Sequence, residues 1–376
     1  MQERAFLMVS GLSPQIVTET LYAHYVTYKL DPGIPSQVHL ITTMEGANRA
    51  RLSLLQGASW FSRLVDEYDI QNLSFPEANI SIITDADGKP LNDIRSEEDN
   101  AAAANFITAY IQQLTHRDDL ELHVSLAGGR KTMGYYIGYA LSLFGRPQDS
   151  LSHVLVSEGF ENNPQFYFPS RETRVIYDRD ERPLDTSKAE VTLARIPFVL
   201  MRDELPAASL VNQVSFSEAV EQLNSQAQEP RLTLDLRQRQ VLCNGRRIEN
   251  LTSSEYLFYI WFVARHLNDD DPLHPLVEGE YQKSWGDSFL KLMKHLNEYR
   301  RLQERTIQTC QNGIDNNLLA NKRSSIAAKM KEKLGQKLAE RFTLNTVNHP
   351  SQGRFFTLEL KEEQIEIIGG DLRYQQ

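Results

Sequence analysis

The chain has only two cysteines, Cys243 and Cys310, in 376 residues. They lie far apart and no histidine pair flanks either one, so the sequence predicts neither a disulfide framework nor a zinc site. No apolar stretch reaches the length of a membrane span, and the apolar run from Phe6 to Val9 is too short for a signal peptide. These absences favour a protein of the reducing cytoplasm that does not enter a membrane.

Excess positive charge is also missing, because the formal net charge is −10 at pH 7. This argues against general adhesion to nucleic acid. The charge is uneven, however, since residues 283–341 carry 13 Lys and Arg against 6 Asp and Glu. A locally basic region fits either a polyanionic partner or a solvated helix face, and the sequence leaves that choice open.

The length favours two domains, and 41% hydrophobic residues are enough for a core in each. Apolar strand patterns alternate with helix patterns from Arg4 to about residue 157, and the helix patterns predict helices from Pro14 to Lys29, over about 47–68, and from Glu97 to Thr115. Strands this apolar are covered on both faces, so the pattern predicts an α/β fold with a doubly wound, Rossmann-like parallel sheet. We expect this domain at 1–214, with Val191 to Leu200 as an added strand or a dimer surface, and a linker at 215–230.

The rest of the chain, 215–376, predicts a smaller α+β domain. Alternating residues flank Asn244 and Gly245, which is typical of a type I′ hairpin. A helix capped by Thr252 or Ser253 follows, then a basic helix and a terminal hairpin. This order is that of a winged helix, from which a helical insertion at about 269–321 departs.

One segment has the sequence of a phosphate site. The apolar strand 120–126 is followed by Gly128 and Gly129, which let a ligand approach the backbone. Arg130, Lys131 and Thr132 then open a helix, where free amides and the helix dipole favour an anion. The spacing differs from that of a P-loop, so the segment predicts anion binding without nucleotide triphosphatase chemistry.

Ligands of doubly wound sheets bind beyond the carboxyl ends of the strands, so the other loops at that edge are candidates too. The loop after the first strand supplies candidate contacts, which are Ser10, Gly11, Ser13 and Gln15. Ser13 fits a helix cap and a ligand contact equally well. Thr43 follows the second strand, and Arg95 follows the third, where it either contacts a ligand or pairs with Asp93.

Four of these segments together resemble the CRISPR-associated ring nuclease family: SGLSPQIVTETLYA, ITTMEGA, LNDIRSEEDN and HVSLAGGRKTMGYYIGYALSLFGRPQDSLSHVLVS. The resemblance covers roughly the first 170 residues. It implies a CRISPR-associated Rossmann fold (CARF) domain, a homodimer, and cyclic tetra-adenylate, a messenger of type III CRISPR systems, as ligand. It further implies cleavage of that ring, without metal or cofactor, to linear di-adenylate with a 2′,3′-cyclic phosphate, which switches the antiviral signal off.

On this hypothesis Lys131 stabilises developing negative charge and Ser10 orients the attacking 2′-hydroxyl or the phosphate. Neither loop has a histidine for general base catalysis, so turnover should be slow. The expected ligand contacts come from all four loops: Gly11, Ser13, Gln15, Thr43, Arg95, Gly128, Gly129, Arg130 and Thr132.

The C-terminal part resembles the winged-helix effector domain of response regulators, through LTSSEYLFYIWFV and the helix around KMKEKLGQKL. An alternative function follows from it. The same messenger would then control a transcription regulator that binds DNA phosphates through four cations of the basic helix, namely Lys322, Arg323, Lys329 and Lys333.

Overall fold

The fold was analysed in a computed structural model, which describes residues 3–30, 33–126, 128–225, 229–350 and 353–373. Residue contacts divide the chain into two units. The first unit comprises Met1–Arg202 with Gln213–Ala219, and the second comprises Asp203–Asn212 with Val220–Gln376. The boundary at residue 214 stays a prediction.

Seven strands of the described residues form the main sheet of the first unit. The strands of this unit are β1 (Glu3–Ser10), β2 (Ser36–Thr42), β3 (Leu73–Ser74), β4 (Ile80–Ile82), β5 (Leu120–Ser125), β6 (Ser150–Val156), β7 (Val175–Tyr177), β8 (Pro183–Asp185) and β9 (Val191–Arg195). The sheet order is β3-β2-β1-β5-β6-β9, and β4 also pairs with β2. Every pairing is parallel except the antiparallel β6–β9 pair, so the predicted Rossmann-like parallel sheet is confirmed.

The apolar sequence of the strands explains this arrangement. All residues of β1 after Glu3 are buried, as expected of a central strand with both faces covered. The covering helices are α1 (Gln15–Tyr22), α2 (Met44–Ala50), α3 (Trp60–Tyr68), α4 (Glu97–Thr115) and α5 (Lys131–Phe144). Helix α4 begins with a capping box between Ser96 and Asp99, which satisfies two backbone amides that would otherwise lack partners.

Two predicted helices are interrupted. The helix expected from Pro14 to Lys29 becomes α1 followed by a π-helical stretch, Ala23–Thr27. The helix expected over 47–68 is divided into α2, a second π-helical stretch, Arg51–Leu55, and α3. A turn separates the stretch Arg51–Leu55 from α3. Gly57 and Ser59 in this turn both have positive φ, a backbone conformation that ends a right-handed helix.

The region after β6 was predicted only coarsely. Strands β7 and β8 form an antiparallel hairpin that precedes β9. Strand β9 extends the main sheet, which is one of the two alternatives predicted for Val191 to Leu200. The predicted linker at 215–230 is not a linker throughout, because it contains helix α7 (Phe216–Asn224). The Phe216 ring packs against Tyr136 and Tyr139 at centroid distances of 5.0 and 5.4 Å, an apolar contact that orders its start. Residues 226–228 of that segment lie outside the described residues.

The second unit contains a four-stranded sheet of order β12-β11-β10-β17. Its elements are α6 (Ala207–Val211), β10 (Leu232–Asp235), β11 (Gln240–Cys243), β12 (Arg246–Arg247), α8 (Ser253–Leu267), β13 (Tyr281–Gln282), α9 (Lys283–His295), α10 (Glu304–Asn312), β14 (Ile314–Asp315), α11 (Asn316–Leu334), α12 (Gln336–Glu340), β15 (Asn345–His349), β16 (Gly353–Thr357) and β17 (Ile365–Ile368). The predicted hairpin is confirmed, since Asn244 and Gly245 both have positive φ between β11 and β12. The terminal hairpin is β15 with β16.

The predicted insertion, about 269–321, belongs to the core of the second unit. It contains α9 and α10, and the apolar residues of α9 and Cys310 of α10 are buried with those of α8. The ring of Phe289 stacks on Phe258 at 4.6 Å between centroids, and the indole of Trp261 donates a hydrogen bond to Ser288. The insertion therefore supplies part of the packing that holds this unit together.

Candidate functional site

Three loops meet at the carboxyl edge of the parallel sheet, and glycines allow the approach. A Cβ added to Gly11, after β1, would lie 3.5 Å from the Cα of Gly129, after β5. A Cβ added to Gly46, in α2 after β2, would lie only 2.5 Å from the carbonyl oxygen of Gly11. No other residue permits that second contact without displacing backbone. The glycines of three predicted ligand loops therefore bring those loops together.

The loop between β5 and α5 presents backbone amides at the helix start. Gly128 and Gly129 have φ of 90° and 74°, which side-chain-bearing residues rarely adopt. Within the described residues, no oxygen accepts a hydrogen bond from the amides of Gly129, Arg130, Lys131 or Thr132. Ala127, which precedes the glycines, lies outside the described residues. The predicted strand, glycine loop and helix are thus present, with free donors at the positive end of α5.

The loop after β4 joins this edge through an ion pair. The guanidinium of Arg130 lies 2.5 Å from a carboxylate oxygen of Asp93, and Arg95 contacts the same carboxylate at 3.1 Å. Hydrogen bonding from Arg130, with a smaller contribution from Arg95, lowers the pKa of Asp93 to about 2. The predicted pairing of Arg95 with Asp93 is therefore found. Sequence reasoning did not predict that Arg130 pairs with the same carboxylate.

The two residues predicted to act in catalysis lie on adjoining elements. Ser10 ends β1, is 1% exposed, and donates a 3.3 Å hydrogen bond to the carbonyl of Gly11. Lys131 begins α5 with an exposed side chain, and no described residue forms an ion pair or hydrogen bond with it. Their catalytic roles stay predictions.

The remaining candidates differ in what occupies their side chains. Ser13 is exposed and makes no helix cap, because α1 starts after Pro14 without a side-chain cap. The side-chain amide nitrogen of Gln15 donates to the carbonyl of Pro164 at 3.3 Å, while its side-chain oxygen Oε1 is buried and unpaired among the described residues. Thr43 is buried at the start of α2, and Thr132 is exposed in the first turn of α5.

A cavity of about 660 Å³ adjoins these loops on the α1 side of the sheet. Its wall includes five of the predicted residues: Gly11, Ser13, Gln15, Gly128 and Gly129. The other predicted residues lie outside that wall: Ser10, Thr43, Arg95, Arg130, Lys131 and Thr132. The volume is in the range usual for small-molecule sites.

Sequence reasoning missed Glu19, which also lines this cavity. The residue is 7% exposed, and its side chain forms no hydrogen bond with a described residue. Burial, and then the nearby charge of Glu161, raise the pKa of Glu19 to about 8, so the carboxyl group is largely protonated at neutral pH. A signal was present in the sequence, since Glu19 lies one helical turn after Gln15 and is the one charged residue of α1.

Two histidines of the sheet, His39 in β2 and His123 in β5, are held by hydrogen bonds to neighbouring side chains. His39 bonds to the hydroxyl of Tyr110 at 2.8 Å, and His123 bonds to Ser152 at the same distance. Burial lowers the pKa of both imidazoles to about 4. In the described part of the chain no three His, Cys, Asp or Glu side chains are grouped so as to hold a metal ion. Over the same residues, no helix combines the length and apolarity needed to cross a membrane.

The four cations assigned to DNA phosphates each contact the second unit's own residues. The partners are Glu255 for Lys329, Glu249 for Lys333, the Phe258 ring for Lys322, and the Phe356 ring for Arg323. Burial lowers the pKa of Arg323 to about 10, and this side chain also donates to the carbonyl of Leu344. These four side chains therefore do not form a row of cations without partners in their own unit.

Comparison with known proteins gives one family. The profile of the family described as CRISPR-associated protein NE0113 matches residues 13–229, which is more than half of the chain. A search of curated proteins finds no match. The matched segment begins in the loop after β1 and includes the glycine loop before α5.

Proposed function

The chain belongs to the CRISPR-associated NE0113 family, and from that premise we propose that it is a ring nuclease. It binds cyclic tetra-adenylate at the carboxyl edge of its Rossmann-like sheet. It cleaves the ring to linear di-adenylate with 2′,3′-cyclic phosphate ends and so switches off type III CRISPR signalling. Residues 1–214 would then form the CARF domain, whose resemblance to ring nucleases extends over four loops.

The observation that carries the proposal is the electrostatics at the start of α5. Arg130 and Lys131 stand at the positive end of the helix dipole, and its first turn has no acidic residue. Helix α4 shows the usual arrangement, with Glu97, Glu98 and Asp99 in its first turn. Cations with free amides at a helix start are unfavourable unless an anion binds there. The Asp93 carboxylate pairs with Arg130 and Arg95, whereas no described residue pairs with Lys131. Lys131 is therefore available to a ligand phosphate.

The chemistry required is small. A 2′-hydroxyl attacks the adjacent phosphate when it is held in line with the leaving 5′-oxygen, and the charge that develops on the phosphate oxygens must be stabilised. Lys131 and the amides of Gly129 and Arg130 supply that stabilisation. Ser10 orients the attacking hydroxyl once its own hydroxyl turns away from the Gly11 carbonyl, to which it now donates. This reaction proceeds without a metal.

The ring and the protein have matching symmetry in this proposal. A four-nucleotide ring can share a twofold axis with a homodimer, so that each chain contributes one Ser10 and one Lys131. Two opposite phosphodiesters are then cut. One ring per two chains is the stoichiometry to expect in a titration.

The direct experiment incubates the full chain with cyclic tetra-adenylate in EDTA and separates the products by chromatography. We expect linear di-adenylate from the wild type, and a rate about 100-fold lower from Lys131→Ala. Lys29→Ala is the matched control, because Lys29 is an exposed cation past the C-terminal end of α1 and its π-helical extension. That helix runs back towards the opposite edge of the sheet.

Three outcomes would contradict the proposal, and a parallel incubation without EDTA distinguishes them. An intact ring in both incubations, after long exposure to excess enzyme, would rule out the nuclease. Equal losses in Lys131→Ala and Lys29→Ala would remove Lys131 from the site, and cleavage only in the absence of EDTA would show that the chemistry depends on a metal.

A second candidate is the transcription regulator, in which a winged helix at 215–376 binds DNA under control of the same ligand. The element order favours it, since the sheet and α8 are followed by α11 and the β15–β16 hairpin. The engagement of Lys322, Arg323, Lys329 and Lys333 within their own unit disfavours it. Salt-dependent binding of a DNA duplex would support it, with a weaker salt slope after substitution of any cation that contacts phosphate.

A further inference from the structure

The cavity beside α1 contains two polar groups that the protein itself leaves without partners. The side-chain amide oxygen of Gln15 is buried and unpaired among the described residues, and the side chain of Glu19, a residue that is 7% exposed, forms no hydrogen bond with a described residue. Both line the cavity, and they lie one turn apart on the same helix face. Buried polar groups cost free energy unless they are hydrogen-bonded, so this pair calls for a ligand that supplies the missing bonds.

The protonation state of Glu19 limits which ligand fits. A protonated carboxyl group offers one donor and one acceptor side by side, whereas a carboxylate offers acceptors alone. Adenine presents a matching edge, with the N6 amino group as donor and a ring nitrogen as acceptor. Guanine has a carbonyl oxygen where adenine has the amino group, so at that position it presents an acceptor to the side-chain oxygen of Gln15 in place of a donor.

The other walls of the cavity suit a flat base. The Tyr167 ring lines it and is itself held by stacking on Trp60, at 4.8 Å between centroids and 11° between planes. Leu52, 63% exposed, adds an apolar surface. Gly11 and Gly129 lie in the same wall, so the cavity opens onto the loops to which the phosphates are assigned.

We propose that this cavity is the base pocket of the adenylate ring, and that Glu19 and Gln15 recognise adenine in it. The inference rests on the proposed function for the identity of the ligand. Glu19 donates to a ring nitrogen of adenine and accepts from the N6 amino group, and the side-chain oxygen of Gln15 accepts the second N6 hydrogen. Selection of adenine over guanine follows from this Gln15 oxygen, because its amide nitrogen is held by the carbonyl of Pro164 and the oxygen meets a donor on adenine but an acceptor on guanine.

Affinity should also depend on pH. Ionisation of Glu19 removes its donor, so adenine binding weakens as pH rises through about 8. The other charged or titratable side chains that line the cavity are Arg49 from α2, His153 from β6, and Glu161 and Tyr167 after β6. All four are retained in a variant changed only at Glu19, which makes that variant the proper reference.

The test compares the wild type with Glu19→Gln and Glu19→Leu, each as the full chain. Gln keeps a donor and an acceptor and cannot ionise, while Leu removes both. The probes are the 2′-deoxy forms of cyclic tetra-adenylate and cyclic tetra-guanylate, which lack the attacking hydroxyl and so stay intact during calorimetry. Titrations run from about pH 7 to about pH 9.5, and thermal melting shows whether each variant is folded.

We expect the wild type and Glu19→Gln to prefer the adenylate ring at pH 7, and Glu19→Leu to bind it at least tenfold more weakly because both of its hydrogen bonds are lost. With rising pH the wild type loses affinity and Glu19→Gln does not. Equal adenylate affinity of wild type and Glu19→Leu, or identical pH profiles of wild type and Glu19→Gln, would overturn the inference alone. A wild type that binds neither ring would refute the proposed function instead, and binding without cleavage of the native ring would refute the nuclease while leaving the pocket intact.

Discussion

At the residue scale, burial of the Glu19 carboxyl group lowers the free energy of unfolding at neutral and higher pH. A carboxyl group buried beside a second carboxylate ionises with difficulty, and its pKa is raised from 4.5 to about 8 in the folded protein. Below about pH 4.5 the proton is bound in both the folded and unfolded states, so the group has no effect on the free energy of unfolding. Between these values only the folded state keeps the proton, so the free energy of unfolding falls as pH rises.

Glu19→Gln should therefore stabilise the protein in a pH-dependent manner. We expect no difference from the wild type near pH 4.5 and a higher free energy of unfolding for the variant at pH 8.5, by roughly 2–5 kcal/mol. Urea unfolding at the two pH values measures it. Glu172→Gln, at an exposed position, is the control and should leave the pH profile unchanged. A constant difference between wild type and Glu19→Gln across this range would mean that Glu19 is not buried in the protonated form.

The loops at the carboxyl edge depend on how closely helix α2 approaches the loop after β1. A Cβ added to Gly46 would lie 2.0 Å from the hydroxyl of Thr42 and 2.5 Å from the carbonyl oxygen of Gly11. The Thr42 side chain can turn away, but backbone must move to relieve the second clash. Gly46 therefore helps to position the Gly11 loop, although it is not itself a predicted ligand contact.

Gly46→Ala should lower the free energy of unfolding by about 1–3 kcal/mol because of overpacking. It should also weaken binding of cyclic tetra-adenylate, since the Gly11 loop is displaced. Gly33→Ala is the matched control, because a Cβ there meets no atom within 4 Å. Urea unfolding and ligand titration report the two effects. A Gly46→Ala variant that is as stable as Gly33→Ala would show that the close approach is absent in solution.

At the scale of the whole molecule, the residues that the structure describes include a hydrophobic cluster in each unit. One cluster contains Phe6, Met8 and Leu21 from the first unit, and the other contains Phe258, Trp261 and Phe289 from the second. Neither cluster shares a residue with the other. Because each unit buries its own apolar surface, each has the means to unfold in its own cooperative transition.

Phe289→Ala tests this independence. The ring is fully buried and stacks on Phe258, so its removal leaves a cavity and should destabilise the second unit by about 3–5 kcal/mol. Calorimetry should show one unfolding transition moved to lower temperature and the other unchanged. Cleavage of cyclic tetra-adenylate, proposed for the first unit, should persist. The exposed Tyr281→Ala variant, in the same insertion, should leave both transitions in place. A shift of both transitions by Phe289→Ala would show that the units unfold together.

Local patterns account for much of the first unit. The strands were readable because their residues are continuously apolar, and α4 was readable from its cap at Ser96 and its acidic first turn. The breaks at 51–59 were not readable, because a π-helical stretch and the positive φ of Ser59 arise from packing rather than from composition. The role of the insertion was missed for a related reason, since burial of Trp285 and Phe289 depends on their partners in α8.

The sequence by itself determined that the glycine loop stands between a buried strand and a helix, because glycine and cation positions act through the backbone next to them. Only the tertiary structure decided that Arg130 shares the carboxylate of Asp93, that Gly11 lies between Gly46 and Gly129, and that Glu19 lines a cavity. Each of these contacts joins residues far apart in the chain. The charge state of Glu19 in particular depends on burial and on Glu161, and both of these arise only when the chain folds.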